Sequence, residues 1–256
     1  AFALLLDGRY QKRAAVALFA GLLIAYAGGS RATIGLMGVG LILTALISAK
    51  YRMSGRKMSF AVAAVLGLLV VSPLAYSAVE RRSDAARESS NEERVRMEEA
   101  ASMIISDHPL GVGANRYVVV TNLEGYSART GVAWNAANRA APVHNTYYLV
   151  TAEIGWIGLF GWVGMLAAMI WTAYSTMRRA ADPIGGEIAA GVTASILMVS
   201  IHMYFEWITM QTYIHYLAAI TMGLVVGIRS RAATPVRPVR AAAARPAMAR
   251  TEAAHF

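Results

Sequence analysis

Six uncharged stretches, each at least 17 residues long, run through this sequence at 14–30, 32–49, 58–79, 154–177, 188–205 and 207–228. A hydrocarbon core about 30 Å thick is crossed by about 20 apolar residues of helix, with roughly 17 as the lower limit. Irregular backbone would leave its amides unpaired in lipid, so each stretch is expected to be helical. Composition agrees: the 256 residues are 57% hydrophobic and only 15% charged, with mean hydropathy +0.45, too little charge to cover a body in water. The expected fold is an all-α integral membrane bundle of about six transmembrane helices. Its parts are three helices over 1–79, a long polar loop over 80–143, three helices over 144–228, and a basic tail over 229–256. Phe2 to Leu6 lead straight into the polar Asp7 to Arg13, which reads as the last turns of a helix begun earlier in a longer protein. Basic residues follow that apolar segment instead of preceding it, which argues against a signal peptide.

Lysine and arginine in short connections resist translocation and so mark the cytoplasmic side. One set of alternating connections carries Arg9, Lys12 and Arg13, then Lys50, Arg52, Arg56 and Lys57, then Arg178 and Arg179, then the arginines of the tail. The other set has Arg31 at a tight turn, the loop with eight arginines against nine acids, and a turn whose one charge is Glu206. The loop is therefore expected on the non-cytoplasmic, periplasmic side of an inner membrane, with the C-terminus cytoplasmic. The tail, rich in Ala, Pro and Arg without apolar periodicity, is expected to be disordered from Arg229 and to touch anionic lipid. The net charge of +9 is what such topology signals and anionic lipids require, and nucleic acid is not expected as a partner. With no cysteine, disulfides, thiolate metal sites and cysteine nucleophiles are excluded.

Within the loop, Ser90-Asn91-Glu92-Glu93 has the form of a capping box and predicts a helix from near Asn91, with an apolar face of Met97, Ala100, Ala101 and Ile104, ended near Asp107 by Pro109. That amphipathic helix is expected on the membrane surface or against the bundle. Arg94 and Arg96 sit in it among Glu92, Glu93, Glu98 and Glu99, where pairs such as Arg94 with Glu98 also fit a plainly solvated face. The turn that follows, His108-Pro-Leu-Gly-Val-Gly113, has two glycines that let backbone approach something closely. Arg31, in GGSRAT, either snorkels to the headgroups or meets an anion. His144 ends the loop beside Asn145, and histidine exchanges a proton near neutral pH, although a helix-capping role fits it equally. In a continuous helix the eleven-residue step would put Gly155 on the face of His144 about 16 Å away. Gly155, Gly158, Gly161 and Gly164 then form a spiral of small residues suited to close helix packing. His202, Glu206 and His215 are ionisable groups in or between apolar runs. They offer no third ligand for zinc, and hydrogen bonding across helices is the reading preferred for the two histidines.

Taken in order, three motifs resemble those of the bacterial O-antigen ligase and O-antigen polymerase family, over roughly residues 30 to 164. They are Ser30-Arg31 at an outer helix turn, an arginine-led helix running into HPLGVG (Arg94 to Gly113), and His144-Asn145 with Gly155 after ten intervening residues. The resemblance implies a membrane glycosyltransferase acting on undecaprenyl-diphosphate-linked glycans. It implies that Arg31 and Arg94, with Arg96 near enough to compete, hold the diphosphate, that Asn145 is among the substrate-binding residues, and that His144 is the base for an acceptor hydroxyl. Where family members often carry tryptophan a turn after the second arginine, this chain has Glu98. Arginine forks can meet the charge of a departing diphosphate without a metal, so a metal-independent, inverting single displacement without cofactor is expected. The acceptor is expected to be lipid A core, a glycan or another hydroxyl. Two other classes fit the same outer charges: a transporter or flippase of polar or anionic substrates, and a scaffold of a polysaccharide export complex.

Overall fold

The computed structural model describes residues 1–8, 10–27, 31–60, 62, 84–208 and 211–233. Its elements, in order, are α1 (Phe2–Asp7), α2 (Gln11–Ala27), α3 (Arg31–Tyr51), α4 (Asp84–Asp107), α5 (Tyr117–Leu123), α6 (Tyr126–Arg129), α7 (Ala136–Arg139), α8 (Thr146–Arg179), α9 (Pro183–His202) and α10 (Thr212–Ala233), with residues 55–60 also helical. No strand occurs among the described residues. Among the described residues, four helices are long and apolar enough to cross a membrane: Thr33–Tyr51, Thr146–Arg179, Pro183–His202 and Thr212–Ala232. The run at 14–30 overlaps the 17-residue α2, which covers 11–27, and most of the run at 58–79 lies outside the described residues, as do Ser30 and the tail from residue 234.

Helix α9 is the centre of the bundle. Asp182 caps it by accepting from the backbone N–H of Ile184 and Gly185, and Pro183 occupies the first turn, where a missing N–H costs nothing. Gly185 and Gly186 follow, and without side chains they let Ile228 of α10 and the Tyr51 ring of α3 close onto the helix. A β-carbon at Gly186 would stand 2.2 Å from the Tyr51 ring. Ser48 of α3 donates to Glu187 of α9 at 2.5 Å, and Gly40 lies against Met198. α3 is thus antiparallel to α9, and α1 lies on the same helix, with Ala3 against Gly191. Around this core the outward faces are apolar: Phe19, Phe160, Trp171 and Ile220 are all exposed, as helices solvated by lipid require.

Lys57 folds back into the bundle at the Glu187 end. Its ammonium donates to Glu187 at 2.5 Å, to the Ser48 carbonyl at 2.9 Å and to the Arg52 carbonyl at 2.6 Å, so all three protons are used where neither charge meets solvent. Arg229 reaches Ser175 at 3.3 Å nearby. The connections bearing Lys50, Arg52, Lys57, Arg178 and Arg179 therefore gather at one end of the bundle, and the 84–145 region lies at the other.

That second region has its own core. The predicted face of α4 is buried as expected, with Met97, Ala100, Ala101 and Ile104 packed on Tyr117, Val120, Tyr126, Val132, Val143, Leu149 and Ala152. The helix ends at Asp107 as Pro109 requires, but it begins at Asp84 and not near Asn91. Ala85 and Ala86 are strong helix formers and the acids Asp84 and Glu88 suit the positive end of the helix dipole, which favours the earlier start. Two further expectations are corrected. The tail is still helical through Ala233, because α10 carries on past Arg229. α8 is not continuous: it starts at Thr146, after the cap Asn145, and breaks at Gly155, whose φ of 71° and ψ of −176° are open essentially to glycine alone. His144 and Gly155 accordingly do not share a helix face, and Gly161 and Gly164 have no neighbour within 4 Å of a built β-carbon, so the glycine spiral packs no helix there.

The break in α8 is where HPLGVG docks. The Val112 N–H donates to the Ala152 carbonyl at 2.9 Å, the Gly113 N–H to the Glu153 carbonyl at 2.8 Å, and the Trp156 N–H to the Pro109 carbonyl at 3.2 Å. Backbone groups freed by the kink are thus satisfied by the loop, as burial demands. Gly111 (φ 84°) and Gly113 (φ 103°) are left-handed. A β-carbon at Gly111 would stand 2.4 Å from the Glu153 oxygen, the close approach expected of these glycines. Glu153 explains why the helix can begin eight residues before its uncharged run: its carboxylate accepts the Tyr117 N–H at 3.2 Å and so faces α5.

Candidate functional site

At the end of the bundle remote from the lysines, three segments converge on the short connector between α9 and α10. The N-terminus of α8 is bolted to it: the Thr146 N–H donates to the Met203 carbonyl at 2.7 Å, the Thr146 hydroxyl to the Glu206 carbonyl at 2.8 Å, and the Tyr147 hydroxyl to the Ser200 carbonyl at 2.7 Å. Asn145 accepts from the N–H groups of Tyr147 and Tyr148 and donates to Glu98 of α4 at 3.4 Å, with only 1% of its surface exposed. Asn145 thus caps α8 and ties it to α4, so the capping role considered for His144 belongs to its neighbour.

His144 is left free to point elsewhere. Its Nδ1 lies 3.0 Å from Oε2 of Glu206, and its ring sits 6.2 Å from the Trp207 ring at a tilt of 58°. The other carboxylate oxygen, Oε1, accepts from Nη2 of Arg94 at 2.9 Å, while Nη1 of Arg94 donates to the Phe205 carbonyl at 3.0 Å. One carboxylate therefore joins the arginine of α4 to the histidine at the loop's exit. The His144 hydrogen bond, helped by that of Arg94, holds the Glu206 carboxyl below the usual carboxylate range against the opposing effect of burial. All three side chains keep a share of solvent contact, 37% for Arg94, 27% for His144 and 23% for Glu206, so a ligand can reach them.

Arg96 is directed away from this cluster, pairing with Glu92 at 3.2 Å and Glu93 at 3.5 Å and reaching the Gly131 carbonyl at 3.5 Å. The helical step of two residues turns it about 200° from Arg94. Arg31 opens α3; its side chain lies outside what is described. The antiparallel register set by Ser48 with Glu187 and Gly40 with Met198 carries the Arg31 end of α3 to the level of the 203–207 connector. His108, 3.5 Å from Glu124, is a surface partner of α5 and takes no part in the cluster. Among the described residues no group of three or more His, Asp or Glu side chains is arranged to hold a metal.

Residues 16–163 match the family model described as O-antigen ligase. The chain belongs to the O-antigen ligase family. No curated protein matches the sequence. The family is one of membrane glycosyltransferases of the O-antigen ligase and polymerase type, with lipid-linked glycans and acceptors as substrates. Arg31, Arg94 and His144 fall inside the matched span and Glu206 outside it. Glu206 and Trp207 are the cluster members to which sequence reasoning gave no part in the site. The available signal was a single acid separating two apolar runs, on the same side as His144.

Proposed function

We propose that this chain transfers a glycan from an undecaprenyl-diphosphate donor to an acceptor hydroxyl, on the periplasmic face of the inner membrane. The observation that carries this reading is the union of Arg94 and His144 through one carboxylate at the bundle end opposite its lysine-bearing and arginine-bearing connections. That end is the translocated one if those connections stay in the cytoplasm.

In the proposed reaction the acceptor oxygen attacks the anomeric carbon as His144 takes its proton. The bond from that carbon to the diphosphate breaks on the opposite face, and the sugar carbon is inverted. Negative charge grows on the leaving diphosphate, and Arg94 and Arg31 meet it. A guanidinium has five donors; Arg94 spends two on Glu206 and Phe205 and keeps three for phosphate oxygens. Fixed arginine forks supply at the leaving group the charge for which other enzymes recruit a metal. Asn145 fixes the start of α8, and so the residue before it.

The deciding experiment incubates the full-length purified protein in detergent with lipid-linked glycan and a lipid A core or glycan acceptor. A transferase yields a covalent product there, whereas a transporter or flippase needs a sealed membrane to show any effect, and an export scaffold gives none. Absence of product with every acceptor class, from protein that is folded and binds donor, overturns the proposal.

A further inference from the structure

We infer that Glu206 is a positioning residue for this reaction, fixing His144 in the tautomer whose Nε2 is free to accept the acceptor's proton and fixing Arg94 beside it. The inference rests on the transferase reading for its consequence, though its structural content does not. An imidazole is a base only through the nitrogen that lacks hydrogen, and which nitrogen that is depends on what the other one faces. Here Nδ1 faces Oε2 of Glu206 at 3.0 Å. An ionised carboxylate can only accept, and the bonds from His144 and Arg94 keep this one ionised. Nδ1 must then carry the proton, and the lone pair is at Nε2.

The carboxylate is itself held from both directions. The Glu206 backbone N–H donates to the His202 carbonyl at 3.1 Å, the Glu206 carbonyl accepts the Thr146 hydroxyl at 2.8 Å, and the Phe205 carbonyl accepts Arg94 at 3.0 Å. Both carboxylate oxygens are engaged, so Glu206 is poorly placed to act as the base itself. When the acceptor proton moves to Nε2, the new C–O bond forms at the sugar and the diphosphate leaves with the old bond's electron pair. The imidazolium keeps its Nδ1–H on Glu206 until Nε2 releases its proton to solvent. The ion pair made in that step is the one the ground state has already oriented, so little reorganisation is required.

Glu206→Gln gives a sharp test because Arg94 has no acceptor. A glutamine at this position must turn its carbonyl to Arg94, which presents its NH₂ to His144 and forces Nδ1 to accept. His144 then adopts the Nε2–H tautomer, with no lone pair left toward the acceptor. The measurement is ¹⁵N NMR of the histidine-labelled full-length protein in nanodiscs above the imidazole titration, with the His144 signals identified by their loss in His144→Gln. We expect Nδ1–H in the native protein, Nε2–H in Glu206→Gln, and return toward Nδ1–H in Arg94→Met/Glu206→Gln, where the amide is free to turn. Turnover in Glu206→Gln should fall about 100-fold or more, within the range of general-base contributions, with donor KM changing far less. A native Nε2–H tautomer, or an unchanged tautomer in Glu206→Gln, overturns the inference even if activity falls. If His144→Gln transfers glycan normally, the reaction assignment fails instead, whatever the tautomers show.

Discussion

Replacing Gly155 by alanine perturbs the junction on which the outer region rests on the membrane bundle. At φ 71° and ψ −176° a residue with a side chain carries about 1–3 kcal/mol of backbone strain. The added methyl would also lie 2.5 Å from the Leu110 carbonyl carbon and 2.7 Å from the Pro109 oxygen, and both are backbone atoms that cannot rotate aside. If the HPLGVG turn lifts to relieve the contact, the three hydrogen bonds from Val112, Gly113 and Trp156 are lost at about 1 kcal/mol each. Either route costs about 3 kcal/mol, which for a chain of this size corresponds to a fall in melting temperature of about 10 °C. Thermal unfolding in detergent measures this, and hydrogen exchange at the Val112 and Gly113 amides distinguishes strain from undocking. Gly161→Ala is the control: with nothing within 4 Å of its built β-carbon, its melting temperature should be unchanged or slightly raised. A Gly155→Ala protein that melts with the native one and keeps both amides protected would mean that neither strain nor undocking arises at this kink.

Removing one partner of the buried Lys57–Glu187 pair, as in Glu187→Ala, strands an ammonium and should cost about 3–5 kcal/mol, while Lys57→Met/Glu187→Leu recovers most of it; thermal unfolding of the three proteins reads this. Asn145→Ala deletes the cap of α8 and its link to Glu98 and should lower stability by about 1–2 kcal/mol, checked by denaturant or thermal unfolding. Glu206 titrates below its ordinary value in the folded protein, so its contribution is fully present above the unfolded carboxylate pKa of about 4.3 and is lost as pH falls through the lower folded value. Melting temperature against pH should therefore show an acid limb that Glu206→Gln diminishes.

Much of the architecture was legible because lipid enforces simple rules. Uncharged length located the helices at Thr33–Tyr51, Thr146–Arg179, Pro183–His202 and Thr212–Ala232, and period 3.6 found the buried face of α4 from Met97 to Ile104. The helix ends were less legible. Glu153 cut the uncharged run short at residue 154, since a charge in a sequence does not announce that α5 will supply a backbone N–H to satisfy it. Gly155 counted as one of four small residues, although only the chain crossing it at Pro109 and Leu110 makes it a kink instead of a packing surface. Motif order singled out Arg94 and His144, which the structure brings together on one carboxylate. Glu206 was noticed as an acid at a turn, yet its bonds to residues 112 and 62 positions earlier depend on a tertiary approach that no local pattern encodes.

The central claim, that His144 serves a glycan transfer at this site, is tested most directly by His144→Ala in the full-length purified protein, assayed for transfer from lipid-linked donor to acceptor in detergent. His144→Ala should fold, still bind donor through its arginines and form product at least about 100-fold more slowly than the native enzyme. Product formed at the native rate would contradict the central claim.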